Sequence, residues 1–142
     1  MIKTFRGLLL DGGQDRIRLQ TIKGKVGYKI IKFQIMNDTP GVANQESIIK
    51  IYKTEQSTID AVVNFTDSDL LAASFLSIGS SVTYPLDTVI IFDSEIFNQD
   101  ISVTHSEIAG ALACNYYIEL EVIPLDDAGA EYTTLKDMRQ SG

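Results

Sequence analysis

The segment from Asn115 to Pro124, NYYIELEVIP, alternates apolar and polar side chains along its length. One set of alternate positions holds Tyr116, Ile118, Leu120 and Val122, and the other holds Tyr117, Glu119 and Glu121. Since successive side chains of a β-strand point to opposite faces, this pattern predicts a strand with one buried face and one polar face. Such a strand must pack its apolar face against a second layer of structure.

Two earlier segments show the same period of two. In Arg16 to Ile22, Ile17 and Leu19 alternate with Arg16, Arg18 and Gln20, and residues 23–25 predict a hairpin turn. The run from Val26 to Met36 places its apolar residues in two different phases, which one extra residue at Ile30-Ile31 would reconcile, so we predict a β-bulge there.

Further strands are predicted at 46–53, 87–93 and 101–104. In the first of them, Ile49 and Ile51 occupy the apolar positions, and Lys50 and Tyr52 occupy the other face. Residues 54–76 are ambiguous. The run LLAASFL at 70–76 suits either a buried strand or two helical turns, and a short helix beginning after Ser57 or Thr58, or at Asp67, is an alternative.

These segments predict the fold class. About eight short strands without βαβ alternation indicate an all-β antiparallel β-sandwich, and two sheets formed from eight strands suggest a jelly roll. A length of 142 residues suits a single domain over 1–142, with residues 126–142 as an extended polar tail.

Composition excludes several classes of function. The longest apolar runs, such as IKIY and VIIF, are far shorter than a membrane-spanning helix, and the first residues do not have the pattern of a signal peptide. We therefore expect a protein that is not secreted by a signal peptide and binds no membrane. The lysine and arginine residues do not form a dense cluster, so we expect no binding to nucleic acid.

Charge is distributed unevenly along the chain. Residues 1–53 contain ten of the twelve lysine and arginine residues and have a net charge of +6, whereas residues 54–142 have a net charge of −13. The opposite charges can pair inside the domain, or they can orient subunits head to tail. Under the second interpretation, the predicted protein interface consists of Arg16, Arg18, Lys29 and Lys32.

The stretch FNQDISVTHSEI at 97–108 contains the single histidine, His105, among several polar residues. Parity with Ile101 and Val103 places His105 on the core side, where a hydrogen-bonded structural histidine is expected. The chain has no nucleophile motif, and one histidine with the single Cys114 cannot complete a zinc site from nitrogen and sulfur ligands alone. We therefore predict no catalytic residues, no enzyme activity and no cofactor. Cys114 is predicted to be buried and inert.

Two further motifs are weaker. The pair Asp11-Gly12 is read as a turn, because no phosphate-binding motif follows it. Calcium is the strongest metal hypothesis, because several oxygen donors fall in predicted loops, although none matches an EF-hand. These donors are Asn98, Asp100, Asp67, Asp69, Asp126 and Asp127.

Three segments resemble small β-rich structural proteins of aquatic bacteriophages: GKVGYKIIKFQIM at 24–36, VIIFDSEIFNQDISVTH at 89–105 and NYYIELEVIPL at 115–125. The resemblance implies a virion component, such as a capsid decoration or cement protein, a vertex protein or a tail-associated jelly roll. It also implies that the partners are protein subunits of the virion, copies of this chain among them. It carries over no catalytic motif.

The alternative is a carbohydrate-binding jelly-roll module, in which exposed aromatic rings stack on sugar rings. The chain has no tryptophan, and most of its aromatic residues fall at core positions of the predicted strands. The candidates for a stacking platform that binds a glycan are Tyr52, Tyr84, Tyr117 and Tyr132.

Overall fold

A computed structural model describes residues 1–19, 26–40, 44–79, 86–92 and 95–125. Its strands are β1 (Ile2–Leu9), β2 (Gln14–Ile17), β3 (Val26–Asn37), β4 (Gln45–Tyr52), β5 (Leu70–Ile78), β6 (Leu86–Ile91), β7 (Ile101–Glu107) and β8 (Cys114–Pro124). Within these ranges there is no helix, and hence none that could span a membrane. The predicted turn at 23–25 and the predicted tail at 126–142 lie outside the described residues.

The strands form two antiparallel sheets, which confirms the predicted β-sandwich. The first sheet has three strands in the order β1-β8-β3, and the second has five in the order β2-β7-β4-β5-β6. The core lies between the sheets and is formed by apolar side chains that face inward from both. Its fully buried members include Ile30, Phe33, Ile49, Ile51, Val103, Ile118 and Leu120.

The pairing of the strands bears on the jelly-roll prediction. A jelly roll is a folded hairpin in which the first strand pairs with the last, the second with the last but one, and so on inward. The pairs β1 with β8, β2 with β7 and β4 with β5 are present. The remaining pair, β3 with β6, is not formed by the described residues, because β6 pairs with β5. The jelly roll therefore stays a prediction.

The first strand, β1, has no apolar alternation that sequence reasoning could detect. Its exposed positions include Ile2 and Leu8, whereas the inward positions include Lys3 and Gly7. A glycine is required at position 7 because the ring of Tyr116 occupies the space of a side chain: a Cβ there would lie 2.7 Å from Tyr116 Oη. The ammonium group of Lys3 lies 5.7 Å from the centre of the Tyr28 ring, a cation–π contact.

The β-bulge in β3 is confirmed. The register between β3 and β8 shifts by one residue between Ile30 and Lys32, so that Ile31 has no opposite residue on β8. The strand predicted at 16–22 differs from the one observed, because β2 covers only Gln14–Ile17 and residues 20–22 lie outside the described residues.

The segment 53–69 is a long loop with several turns, so the helix considered there is absent, and the run LLAASFL belongs to strand β5. This loop passes over the outer face of β4, which corrects the predicted exposure of Lys50 and Tyr52. Both are buried, and Lys50 Nζ lies 3.3 Å from Asp60 Oδ1 and donates a hydrogen bond to the carbonyl of Val62. A loop folded back over β4 is a long-range feature that the local alternation does not encode.

Strand β8 pairs with both neighbours and supplies the centre of the first sheet, so its inward residues should be critical. Leu120 has no exposed surface. We expect Leu120→Asp to unfold the domain, because a buried carboxylate without a partner costs several kcal/mol against a total stability of about 5–15 kcal/mol. Glu119→Ala, on the outer face, should cost at most about 1 kcal/mol. Thermal unfolding of both variants would test the face assignment, and equal losses would contradict it.

Candidate functional site

His105 is completely buried and hydrogen-bonded, as predicted, and its contacts link the two sheets. Its Nδ1 lies 3.0 Å from the carbonyl oxygen of Leu9 and 3.2 Å from that of Leu10, and its Nε2 lies 3.0 Å from Ser47 Oγ. Since carbonyls only accept, Nδ1 carries a proton and donates to them, and Nε2 pairs with the Ser47 hydroxyl. The turn predicted at Asp11-Gly12 is present, and Gly12 N donates to the carbonyl of His105.

The pair Ser47–His105 has the spacing of a nucleophile and its base, but neither side chain reaches solvent. Gln45 Nε2 also donates to Ser47 Oγ at 2.9 Å, so the hydroxyl is engaged on both sides. Burial raises the pKa of the neighbouring Cys114 thiol from 9.0 to about 11, a shift that disfavours the reactive thiolate. The hydrogen bonds of Gln45, Ser47 and His105 connect β4 and β7 to the end of β1 and to the residue before β8.

Two acids of the stretch 97–108 accept hydrogen bonds that join neighbouring segments, and Phe97 pairs with β3 through its backbone. Asp100 accepts hydrogen bonds from Leu19 N and from Arg16 Nε, and Glu107 accepts from the backbone N–H groups of Glu46 and Ala109. Phe97 exchanges two backbone hydrogen bonds with Tyr28, at 2.7 and 2.9 Å.

The calcium candidates do not come together as a set. Asp69 accepts from Gln56 Nε2 and from the Thr54 hydroxyl, Asp67 accepts from Asp69 N, and Asp100 is bonded to Arg16. Among the described residues no three His, Cys, Asp or Glu side chains are grouped so that they could hold a metal ion. Asp126 and Asp127 lie outside the described residues.

Ion pairs account for much of the charge asymmetry inside the domain. Each of the four pairs formed between described residues joins a cation from residues 1–53 to an acid from residues 54–142. Arg16 pairs with Asp100 at 2.9 Å, and Lys29 pairs with Glu121 at 3.6 Å. These contacts agree with the internal interpretation of the charge distribution.

The predicted interface residues do not form one row. Arg16 and Arg18 lie on and just after β2, at one edge of the second sheet, whereas Lys29 and Lys32 lie on β3, in the first sheet. Arg18 and Lys32 are exposed, and neither forms an ion pair with another described residue. Whether these cations bind a partner stays a prediction.

A groove of about 920 Å³ lies along the first sheet beside β6. We call it the β3–β6 groove. It is lined by residues 6–8 of β1, 115–117 of β8 and 31–36 of β3, together with Asp87, Val89 and Ile91 of β6. Cross-strand register explains the arrangement: Arg6, Tyr117 and Gln34 lie opposite one another in one row, and Leu8, Asn115 and Met36 lie opposite one another in the next.

The groove is apolar and exposed at several points. Met36 is 62% exposed, Leu8 51%, Val89 38% and Ile31 37%. Sequence reasoning did not find this site, because its residues come from strands that are distant in the chain and its depth depends on how the sheets overlap. The only local signal was Met36, an apolar residue at the end of a predicted strand whose neighbours two positions away, Gln34 and Asp38, are polar.

The tyrosines proposed to stack on a glycan have different environments. Tyr52 is buried, and Tyr84 and Tyr132 lie outside the described residues. Tyr117 lines the β3–β6 groove, and its hydroxyl donates to Glu119 Oε2 at 2.7 Å, which raises the pKa of the phenol.

A second, more polar cavity of about 460 Å³ lies at the end of the second sheet. Its lining includes Arg16, Lys53, Asp100 and Ser102. Both cations are already paired, Arg16 with Asp100 and Lys53 with Glu95 at 3.3 Å. The cavity therefore presents no free charge from these two residues to a ligand.

Comparison with known proteins identifies no family for the chain. No protein-family model matches it, and no curated protein matches it. Among solved structures, it is similar to the tailspike protein of Acinetobacter baumannii bacteriophage Fri1, a capsular polysaccharide depolymerase. The identity is 13%, and the match covers 78% of this chain but only 21% of the tailspike chain. The TM-score is 0.21, which is too low to define a shared fold, so the match assigns no function.

The burial of Cys114 predicts its chemistry. We expect a disulfide reagent to leave Cys114 of the native protein unmodified at neutral pH and to modify it completely in denaturant.

The raised pKa of Cys114 also predicts how stability depends on pH. Because this pKa is raised on folding, the neutral thiol stabilises the folded state fully below pH 9, and this contribution is lost as the pH rises from 9 towards 11. The free energy of unfolding should therefore fall more steeply over that range in the natural protein than in Cys114→Ala. Parallel curves would contradict the assignment.

Proposed function

We propose that the chain is a non-enzymatic structural protein of a bacteriophage virion, of the decoration or cement type, which binds other protein subunits through the β3–β6 groove. The observation that carries the proposal is the row of exposed aliphatic side chains in this groove, Leu8, Ile31, Met36 and Val89. Other apolar side chains are exposed elsewhere on the protein, but these four line one groove, and exposed apolar side chains gathered in one place are typical of an interaction site.

The chemistry of the groove favours a polypeptide partner. Aliphatic side chains gain about 25 cal/mol per Å² when a partner removes them from water, and protein interfaces bury such groups at their centre. Arg6, Gln34 and Asn115 lie among them and supply hydrogen-bonding groups of the kind found at an interface.

The virion assignment is supported by the resemblance of three segments to structural proteins of aquatic bacteriophages. In the structure, residues 26–36 and 115–124 of these segments belong to β3 and β8, which pair with each other and line the groove. The third segment, 89–105, includes Val89 and Ile91 on the groove's other wall, whereas the third β6 residue there, Asp87, precedes it. The surface proposed to bind subunits is thus largely made of the segments that carry the resemblance.

A carbohydrate-binding function is the second candidate, and Tyr117 is the observation that favours it. Its ring lines the groove beside Arg6, Gln34, Asn115 and Asp87, which are side chains able to hydrogen-bond sugar hydroxyls. Against it, the groove has more exposed aliphatic side chains than aromatic rings, and sugar rings stack on aromatic ones.

The double variant Leu8→Glu/Met36→Glu tests the first candidate. Placing two carboxylates in the apolar row should abolish attachment to assembled particles of the encoding phage, as measured by co-sedimentation, and should leave the melting temperature nearly unchanged because both side chains are more than half exposed. Ile2→Glu is the matched control, since Ile2 is 55% exposed on the same face of β1 but does not line the groove.

Attachment that survives the double variant would contradict the proposal. Saturable binding on a glycan array that is lost in Tyr117→Ala, together with no attachment of the natural protein to particles, would establish the carbohydrate-binding function instead.

A further inference from the structure

On the outer edge of β3, some backbone groups at the groove have no partner among the described residues. Tyr28 directs its N–H and C=O away from β8, because both are bonded to Phe97. Val122, opposite Tyr28, donates its own N–H to the carbonyl of Met1, on the β1 side. In an antiparallel ladder, hydrogen-bonded and non-hydrogen-bonded pairs alternate. Every second residue of β3 therefore directs its backbone N–H and C=O groups away from β8.

Beyond the bulge, the residues of β3 whose backbone N–H and C=O groups point away from β8 are Phe33 and Ile35. They lie opposite Ile118 and Tyr116, whose backbone groups are directed to β1, whereas Lys32 and Gln34 lie opposite Glu119 and Tyr117 and bond to β8. Within the described ranges, the backbone N–H and C=O groups of Phe33 and Ile35 have no backbone partner.

Strand β6 is also an edge strand, because it pairs only with β5 in the described part of the chain. In the described part of the chain, the groove therefore lies between two strand edges that no other strand covers, β3 of the first sheet beyond Tyr28 and β6 of the second. An open edge is a template for an added strand, in which main-chain hydrogen bonds provide affinity and alternate side chains provide specificity.

Charge indicates the chemistry of that strand. Arg6 and Lys32 line the groove, and neither forms an ion pair within 4 Å with another described residue, unlike Arg16, Lys29, Lys50 and Lys53. The acid that lines the groove, Asp87, belongs to β6. Two unpaired cations on a protein with a net charge of −7 favour a partner that carries a carboxylate.

We infer that the β3–β6 groove binds an extended segment of another virion polypeptide, which adds to the edge of β3 as a strand. This inference rests on the proposed function and names its partner. The segment hydrogen-bonds to the backbone of Phe33 and Ile35 and places every second side chain on the apolar wall of Ile31, Met36 and Val89. It carries an acidic residue towards Arg6 and Lys32.

Hydrogen exchange on the free and the particle-bound protein tests this mode of binding. In the bound form, the amides of Phe33 and Ile35 should exchange at least about tenfold more slowly, because a strand that adds to the edge protects them. The amides of Lys32 and Gln34 serve as internal controls, since they already bond to β8 and should not change.

Charge reversal tests the chemistry of the partner. Arg6→Glu and Lys32→Glu should each weaken attachment by about 2- to 5-fold, the range expected for an exposed ion pair, and the loss should shrink at high salt. Lys29→Glu is the matched control on the same strand, because Lys29 pairs with Glu121 and does not line the groove. A loss in Lys29→Glu as large as in Lys32→Glu would overturn the acidic-partner argument.

The outcomes separate the inference from the proposed function. Attached protein whose Phe33 and Ile35 amides exchange as fast as in the free protein overturns strand addition and leaves the proposed function standing. Failure to attach to particles overturns both. Protection of the two amides that rises with the concentration of the isolated protein, with a dimer in sedimentation, would make a second copy of this chain the occupant and overturn the assignment to another polypeptide.

Discussion

The double pairing of β8 is the constraint on which the rest of the structure depends. This strand lies between β1 and β3 and presents Tyr116, Ile118 and Leu120 to the second sheet. β1 is the first strand of the described chain and β8 is the last. Their pairing therefore joins two segments that are far apart in sequence and closes the sandwich. The bulge at Ile31 follows from the same constraint, since it lets β3 keep its apolar side chains on the core face along the whole of β8.

Buried polar groups hold the two sheets in register. Ser47, His105 and Gln45 connect the turn after β1 to β4, β7 and the start of β8 by hydrogen bonds of about 3 Å. A polar network of this kind costs free energy to desolvate unless its groups are paired, so it favours one arrangement of strands over slipped alternatives. Serine and histidine are residue types of a hydrolytic site, but here the buried Ser47 and His105 hold the strands of the two sheets in position.

The unequal widths of the sheets create the candidate site. Five strands lie against three, and β3 and β6, each the last strand of its sheet, both line the groove with no further strand of the described residues on their outer edges. The apolar side chains and unpaired cations of the groove come from β1, β3 and β6, which meet only because β8 brings β1 and β3 into one sheet. A binding surface that joins an open edge to an apolar wall suits assembly with another polypeptide, in agreement with the function proposed.

Local pattern and tertiary structure determined different parts of this protein. The sequence by itself determined the all-β class, the inward row of β8, the bulge in β3 and the burial of His105 and Cys114, because the period of two and its interruptions are properties of neighbouring residues. It did not reveal β1, where Lys3 and Gly7 face inward, since their positions depend on the rings of Tyr28 and Tyr116. Only the tertiary structure decided that the loop 53–69 contacts Lys50 and that Tyr52 is buried. It also decided that Arg16 and Lys32 lie on different sheets, and that Leu8, Met36 and Val89 share a groove. These features arise from contacts between segments far apart in the chain, and the alternation within one strand carries no information about which distant segment will cover it.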